Sequence, residues 1–144
     1  MSIVYTGGTF DCFHAGHVDL LRFCYLRARL RSAPTVVVAL NTDDFVEEFK
    51  GRRPVCSYEE RRIVLESCRY VSRVIENVGG PDSKPAIESV RPNAIVIGDD
   101  WRSRDYYAQM QFTPKWLTER GIDLIYAPRE RPLSSTAIKA RVVA

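Results

Sequence analysis

The chain has 144 residues, of which 45% are hydrophobic and 27% charged, and these are the proportions of an ordinary globular protein. Its formal net charge of +3 is too small for a dedicated nucleic-acid binder. No apolar run approaches the ~20 residues of a membrane-spanning helix, and the N-terminus does not resemble a signal peptide. We therefore expect a single domain over residues 1–144, located in the cytoplasm, with no nucleic-acid partner and no membrane insertion.

Short apolar runs alternate with longer helical patterns along the chain. The predicted strands cover residues 2–6, 35–40, 71–76, 94–97 and 123–126. The predicted helices cover residues 16–30, 58–68, 83–90, 106–120 and 135–142, and Ser57 with Glu60 forms a predicted capping box before the second of them. Nearly continuous apolar runs are typical of parallel strands covered on both faces. The alternation predicts an α/β fold, namely a single doubly wound Rossmann-like domain with a five-stranded parallel sheet.

Four cysteines are present, and none of them forms a C-x-x-C pair: Cys12, Cys24, Cys56 and Cys68. Only two histidines accompany them, so the sequence does not favour a structural zinc site. We expect free thiols in a reducing compartment.

Doubly wound sheets bind ligands beyond the carboxyl ends of their strands, so the segments that follow strands are where chemistry is expected. Three such segments stand out and are predicted to be loops, and they cover residues 7–15, 41–57 and 98–105.

The first of these segments contains the run GTFDCFHAGH, from Gly8 to His17, at the passage from strand to helix. His14 and His17 are three residues apart and therefore share one face of the helix start. They lie beside the positive end of the helix, where backbone N–H groups already favour phosphate. Gly16 removes a side chain, which lets a ligand approach the backbone closely. The run predicts a polyphosphate site, in which donors meet the charge that develops on a phosphoryl group.

This run resembles the signature G-T-F-D-x-x-H-x-G-H of the cytidylyltransferase-like nucleotidyltransferases, which include the glycerol-3-phosphate, choline-phosphate and ethanolamine-phosphate cytidylyltransferases. The resemblance spans almost the whole chain. RYV at 69–71 and VIGDDW at 96–101 are most similar to the bacterial glycerol-3-phosphate enzymes. RERPLSSTAIK at 129–139 resembles the second family motif, R-T-E-G-I-S-T-T-x-I-K. The resemblance implies transfer of CMP from CTP to a phosphorylated small alcohol with release of pyrophosphate, with Mg²⁺ carried by the triphosphate, in a homodimer.

The resemblance also implies roles for individual residues. The implied catalytic residues are His14, His17, Lys50 and Arg129. The implied nucleotide-binding residues are Gly8, Thr9, Phe10, Gly16, Arg52, Arg69, Gly98, Asp99, Trp101, Ser134, Ser135 and Thr136. The implied acceptor-binding residues are Asp11, Asp43 and Arg61, and no residue is assigned as a metal ligand.

Several of these residues have a plainer alternative. Lys50 and Arg52, with Arg53, also fit a solvated basic loop, and Arg61 fits a helix surface. Asp11 fits a loop cap and Asp43 an Asx turn. Trp101 would look the same if it simply packed at a loop edge, and the hydroxyl cluster at 134–136 also fits a helix cap.

The chain departs from the family pattern in two places. Pro132 stands where the second motif has glycine, and Glu130-Arg131 stands where it has Thr-Glu. The stretch 105–121 is longer than the matching part of the glycerol-3-phosphate enzymes, and an extended helix there would reshape the acceptor pocket or a subunit contact.

Other functions fit the sequence less well. An adenylyltransferase of the same fold, acting on a sugar phosphate or cofactor precursor, is the main alternative, and a catalytically silent nucleotide-binding module is a second. A nicotinamide-binding protein is disfavoured because Gly7-Gly8 does not extend to G-x-G-x-x-G. A class I aminoacyl-tRNA synthetase is excluded because the chain is too short to recognise tRNA and an amino acid.

Overall fold

The computed structural model describes residues 2–30, 33–99 and 105–143. Its strands are β1 (Ser2–Gly8), β2 (Pro34–Leu40), β3 (Arg73–Glu76), β4 (Ala94–Gly98) and β5 (Asp123–Ala127). Its helices are α1 (Ala15–Arg29), α2 (Asp43–Lys50), α3 (Tyr58–Glu66), α4 (Lys84–Val90), α5 (Tyr106–Met110), α6 (Pro114–Glu119) and α7 (Ser135–Val143). The strands are all parallel, in the order β3-β2-β1-β4-β5. The predicted α/β fold with a five-stranded parallel sheet is confirmed.

Helices cover both faces of this sheet. On one face, strand residues pack against α4, α5 and α6 in a cluster that includes Tyr5, Val37, Ile97, Ile87 and Leu117. On the other face, strand residues pack against α1 and α3 in clusters that include Val4, Val38, Leu21, Cys24 and Leu65. Because both faces are buried, the inner strands β2 and β4 are apolar over most of their length rather than alternating. None of the described helices is both long and apolar enough to cross a bilayer.

The strand order reverses between β1 and β4. The chain first moves outward from β1 through β2 to β3, and then returns to add β4 and β5 on the other side. Open α/β sheets form a crevice at this point, beyond the carboxyl ends of the strands. The segments that follow β1, β2 and β4 therefore leave the sheet beside one another.

The segment 41–57 is not the continuous loop that the sequence predicts, because its first half forms α2. Thr42 begins this helix, and its Oγ1 accepts a hydrogen bond from the backbone N of Phe45 at 3.1 Å. Gly51 ends the helix in the left-handed conformation, with φ of 77°. Both signals are local, a threonine cap and a glycine stop, and are visible in the sequence.

The prediction of one helix over 106–120 is wrong, because the chain forms two short helices there. Gln111 interrupts the run in a left-handed conformation with φ of 59°, and α6 restarts with Thr113 as its cap and Pro114 in its first turn. Proline lacks a backbone N–H and clashes with the preceding turn, so it is tolerated at a helix start but not in its interior.

Candidate active site

Two histidines form the start of α1. The Nδ1 of His14, the N-cap residue, accepts a hydrogen bond from the backbone N of Gly16 at 3.0 Å. The Nδ1 of His17 accepts one from the backbone N of His14 at 3.2 Å. The two ring centroids are 3.8 Å apart and the rings are inclined by 22°. The pair is a capping box in which imidazoles take the places usually held by a hydroxyl and a carboxylate, and the prediction that the two rings share a face is confirmed.

These hydrogen bonds set the protonation state of both rings. A ring nitrogen that accepts a backbone N–H carries no proton, so each neutral imidazole holds its hydrogen on Nε2. Burial, followed by the charge of His14, lowers the pKa of His17 to about 3, and burial with Arg129 lowers the pKa of His14. The Nε2 of His14 is buried and has no hydrogen-bond partner among the described residues. A buried donor of this kind favours the arrival of an acceptor.

Aromatic rings occupy the space above two glycines of this run. A Cβ on Gly16 would lie 2.9 Å from the ring of His14, and a Cβ on Gly8 would lie 3.0 Å from the ring of Phe10. Phe10 is buried, and its ring centroid lies 5.1 Å from that of His17. The sequence predicts that Gly16 admits a ligand to the backbone, but the structure shows that it admits the His14 ring, which the capping geometry needs.

Asp11 holds the turn before α1 to the segment that precedes α3. Its carboxylate accepts hydrogen bonds from the backbone N atoms of Val55 at 2.8 Å, Cys56 at 2.9 Å and Cys12 at 3.1 Å. It also pairs with the Nζ of Lys139 at 2.7 Å. Burial opposes ionisation, but the Lys139 and backbone hydrogen bonds outweigh it and hold the pKa of Asp11 at about 2. The geometry therefore gives Asp11 the capping role that the sequence left open. Both carboxylate oxygens already have partners, so neither is free for the predicted contact with the acceptor substrate.

The buried side chain of Arg61 on α3 connects several loops by hydrogen bonds. Its side chain is 1% exposed, and its guanidinium donates to the backbone O atoms of Cys56 at 3.0 Å and of Thr9 and Asn41 at 2.9 Å. It also pairs with Asp43 at 2.7 Å, which in turn accepts from a backbone N at the start of α3. The helix-surface alternative for Arg61 is wrong, because these acceptors draw it inward. Neither Arg61 nor Asp43 lines the cavity described next.

A cavity of about 460 Å³ opens at the carboxyl ends of the strands, which is within the roughly 300–1,000 Å³ of small-molecule sites. Many of the residues singled out in the sequence line it: Gly8, Thr9, Phe10, Asp11, His17, Lys50, Arg52, Gly98, Ser135 and Thr136. Residues from both ends of the chain meet here because parallel strands deliver their carboxyl ends to one edge.

The cavity wall carries an excess of positive charge. Lys50, Arg52 and Lys139 all line it. Burial, followed by the charges of Lys139 and Arg52, lowers the pKa of Lys50. Arg53 also lines the cavity but is paired with three carboxylates of α2, at 2.8, 3.1 and 3.8 Å. An anion with several charges would relieve the repulsion among the first three.

Two asparagines that sequence reasoning missed connect the ends of three strands. The Nδ2 of Asn41 donates to the Oγ1 of Thr9 at 3.2 Å, and the Nδ2 of Asn77 donates to the Oδ1 of Asn41 at 3.0 Å. The Oδ1 of Asn77 is buried without a partner among the described residues, and both asparagines line the cavity. Each directly follows a strand, which is the signal that would have found them.

Six further predicted residues are not among those that line the cavity, and two of them, His14 and Gly16, lie at the start of α1 beside His17, which does line it. Arg69 is exposed, and its guanidinium lies over the ring of Tyr70 in the turn before β3, at the opposite edge of the sheet, so this geometry does not support its predicted contact with a nucleotide. Arg129 is exposed and donates to a backbone O at 3.2 Å. Ser134 caps α7 through its Oγ, and Asp99 follows β4. Trp101 lies outside the described residues.

Asp11, Cys12 and Cys56 gather ligand atoms within 4.8 Å of one another. The Asp11 carboxylate is already engaged by three backbone N–H groups and an ammonium, and Mg²⁺ prefers oxygen ligands to thiols. This group therefore does not fit a resident Mg²⁺ ion.

The two cysteines of this group are free, as are Cys24 and Cys68, which confirms the prediction of free thiols.

Comparisons with known proteins show the family to which this chain is similar. The family model described as cytidylyltransferase-like matches residues 5–141. The chain is 33% identical to a glycerol-3-phosphate cytidylyltransferase of Bacillus subtilis (strain 168), over 99% of this chain and 98% of that protein. It is also 37% identical to a mouse ethanolamine-phosphate cytidylyltransferase, over 59% of this chain and 20% of that protein.

The fold is shared with a solved structure. A lipopolysaccharide core biosynthesis protein from Thermoplasma volcanium GSS1 matches with a TM-score of 0.70 and 22% identity, over 91% of this chain and 99% of that one. The match of a family model to residues 5–141, together with relatives that align along the whole chain, shows that this protein belongs to the cytidylyltransferase-like family of nucleotidyltransferases.

Proposed function

We propose that this enzyme transfers CMP from CTP to a phosphorylated small alcohol of the glycerol-3-phosphate type and releases pyrophosphate. The observation that carries the proposal is the stacked pair of neutral imidazole donors at the N-terminus of α1, beside a cavity rich in cations. The full-length relatives named glycerol-3-phosphate cytidylyltransferases support both the nucleotide and the acceptor class.

The acceptor brings its own nucleophile. A phosphate monoester has a second pKa near 6, so its oxygen is ionised at neutral pH and no side-chain base is required. That oxygen attacks the α-phosphorus of CTP, the bond from the α-phosphorus to the bridging oxygen breaks, and pyrophosphate leaves with the electron pair. The His14 and His17 donors and the positive charges of Lys50 and Arg52 stabilise the negative charge that grows on these oxygens.

The uncharged residues that line the cavity favour a neutral alcohol. They include Asn77, Ser83, Tyr106, Gln109 and Met110. Amide and hydroxyl groups can hydrogen-bond an alcohol. Among the described residues that line the cavity, the carboxylate is that of Asp11, and it is already paired with Lys139. An ammonium head group of an acceptor would therefore find no unpaired negative charge there.

Mg²⁺ carried by the triphosphate would neutralise part of its charge. This ion, the homodimer, the single domain and the cytoplasmic location stay predictions. So do the contacts of Arg129 and Trp101 with the nucleotide.

Pyrophosphate release from CTP or ATP, measured with glycerol-3-phosphate, ethanolamine phosphate and choline phosphate in turn, tests the proposal. We expect release to require an acceptor and to be fastest with CTP and glycerol-3-phosphate. A preference for ATP would make the protein an adenylyltransferase. Nucleotide binding without release from any pair would make it a silent nucleotide-binding module, and either result would overturn the proposal.

A further inference from the structure

Lys139 of α7 places a charged group in the cavity, and none of the roles expected from the sequence falls on it. Its side chain is 31% exposed, and its Nζ lies 2.7 Å from the Oδ2 of Asp11. An ammonium group has three N–H bonds, and Asp11 is the hydrogen-bond partner that the described residues provide for it. Donor capacity therefore remains on the cavity side.

Asp11 holds Lys139 in place rather than neutralising the site. Its carboxylate is shared with three backbone N–H groups, so its negative charge is distributed over four donors. The positive charge of Lys139 still acts on Lys50, because it contributes, after burial, to the lowered pKa of Lys50. The two lysines come from α2 and α7 and face the same space.

The position of α7 does not depend on Lys139 alone. The Oγ of Ser135 donates to the backbone O of Asp11 at 2.6 Å. Residues 135 and 139 are four apart, so they share one face of the helix. This face is thus fixed to Asp11 twice, once through a backbone atom and once through the carboxylate.

We propose that Lys139 is a catalytic residue of this site, whose ammonium group contacts the phosphates of the bound nucleotide while Asp11 holds it on the cavity wall. The identity of the anion as a nucleoside triphosphate rests on the proposed function. The contact itself requires only a polyphosphate chain.

The test compares Lys139→Gln and Lys139→Arg with the parent, with inorganic tripolyphosphate as the probe in isothermal titration calorimetry. Glutamine can still donate a hydrogen bond to Asp11 but has no charge, whereas arginine keeps the charge. We expect tripolyphosphate binding to weaken roughly 10-fold to 100-fold in Lys139→Gln and to recover in Lys139→Arg, with both variants fully folded at the temperature of the titration. Lys115→Gln on the exposed face of α6 is the matched control and should bind like the parent.

CTP kinetics on the same variants give the second readout, in which Lys139→Gln should raise the KM for CTP and lower kcat. Parental binding of tripolyphosphate by Lys139→Gln would overturn the inference. So would equal losses in both variants with a lowered Tm, because that pattern indicates a structural role. If tripolyphosphate binding depends on Lys139 but no pyrophosphate is released from CTP, the proposed function fails while the inferred contact of Lys139 with phosphate stands.

Discussion

The two histidines at the start of α1 have a structural role, and the proposed function gives them a chemical role as well. Each uses Nδ1 to cap the helix, and in the proposed reaction each Nε2–H donates to the ligand. Asparagine separates these roles, because its Oδ1 can cap the helix as Nδ1 does, whereas its amide N–H groups do not reach the position of Nε2.

We expect His14→Asn to keep a Tm near that of the parent and to lower kcat by roughly 10²–10³, the usual cost of removing one transition-state donor. His14→Ala should lower kcat similarly and also lose about 1 kcal/mol of unfolding free energy, because the cap is gone. Steady-state pyrophosphate release and thermal unfolding measure the two effects. Normal turnover by His14→Asn would remove His14 from the chemistry.

The buried imidazole of His17 should also shape the pH dependence of stability. Its pKa is about 3 in the folded protein against an ordinary 6.5, so the unfolded chain binds more protons between these values. The contribution of this ring is therefore complete above pH 6.5 and is lost as the pH falls towards 3. We expect the unfolding free energy of the parent to fall faster below pH 6.5 than that of His17→Gln, by up to about 1.4 kcal/mol per pH unit. Urea titrations at several pH values check this, and parallel curves would contradict it.

Lys50 and Arg53 are neighbouring cations in different electrostatic surroundings. Lys50 is repelled by other cations of the cavity, whereas Arg53 is already paired with carboxylates of α2. We expect Lys50→Ala to raise the KM for CTP about 10-fold and to slow turnover, because a charged contact with phosphate is lost. Arg53→Ala is the matched control and should leave both constants close to the parental values. Similar kinetics for the two variants would mean that Lys50 is a solvated basic residue without a phosphate contact.

At the scale of elements, the irregular segment between α2 and α3 is ordered by charges that come from elsewhere. Asp11 binds its backbone N–H groups from the turn before α1, and Arg61 binds its backbone O from α3. A segment without a hydrogen-bond ladder of its own needs such partners if its backbone groups are buried. These bonds connect the segment that carries Arg52 to the turn before α1.

Arg61→Met should therefore destabilise the protein by about 3 kcal/mol, because it leaves Asp43 and three backbone O atoms without their donor. Arg62→Met is the matched control on the same helix. Arg62 pairs with two glutamates on the helix surface, so its loss should cost less than about 1 kcal/mol. Urea unfolding of both variants measures the difference. Equal losses of unfolding free energy would contradict the structural role of Arg61.

At the scale of the whole molecule, the cavity joins parts of the chain that are distant in sequence. Its wall runs from Gly8 on β1 through Lys50 on α2 to Lys139 on α7. A ligand that contacts all of these parts binds only the folded state and stabilises it by mass action.

We expect CTP at 100 times its Kd to add about 2.7 kcal/mol and to raise the Tm by roughly 8 °C. CMP at the same concentration should give a clearly smaller shift, because it lacks the phosphates that the cations face. Differential scanning calorimetry with the two nucleotides measures this. Equal shifts would mean that the cations do not contact the β- and γ-phosphates.

Local patterns in the sequence were sufficient for the fold and for the centre of the site. The alternation of apolar runs and helical periods predicted the parallel sheet, and the capping box of Ser57 and Glu60 formed as predicted. The pairing of His14 with His17 was predictable because three residues of spacing on a helix start is a local relation. The sequence also contained local signals for α2 and for the break at Pro114. The predictions of a loop over 41–57 and of one helix over 106–120 overlooked these signals.

Only the tertiary structure decided which residues meet around these histidines. Asp11 joins Lys139, and Arg61 joins Thr9, across stretches of chain that no local pattern connects. The parallel sheet brings distant segments to one edge, but the distances there depend on side-chain packing between elements. Periodicity specifies each element and not these distances, so the sequence by itself determined the kind of site, and the folded chain decided its members.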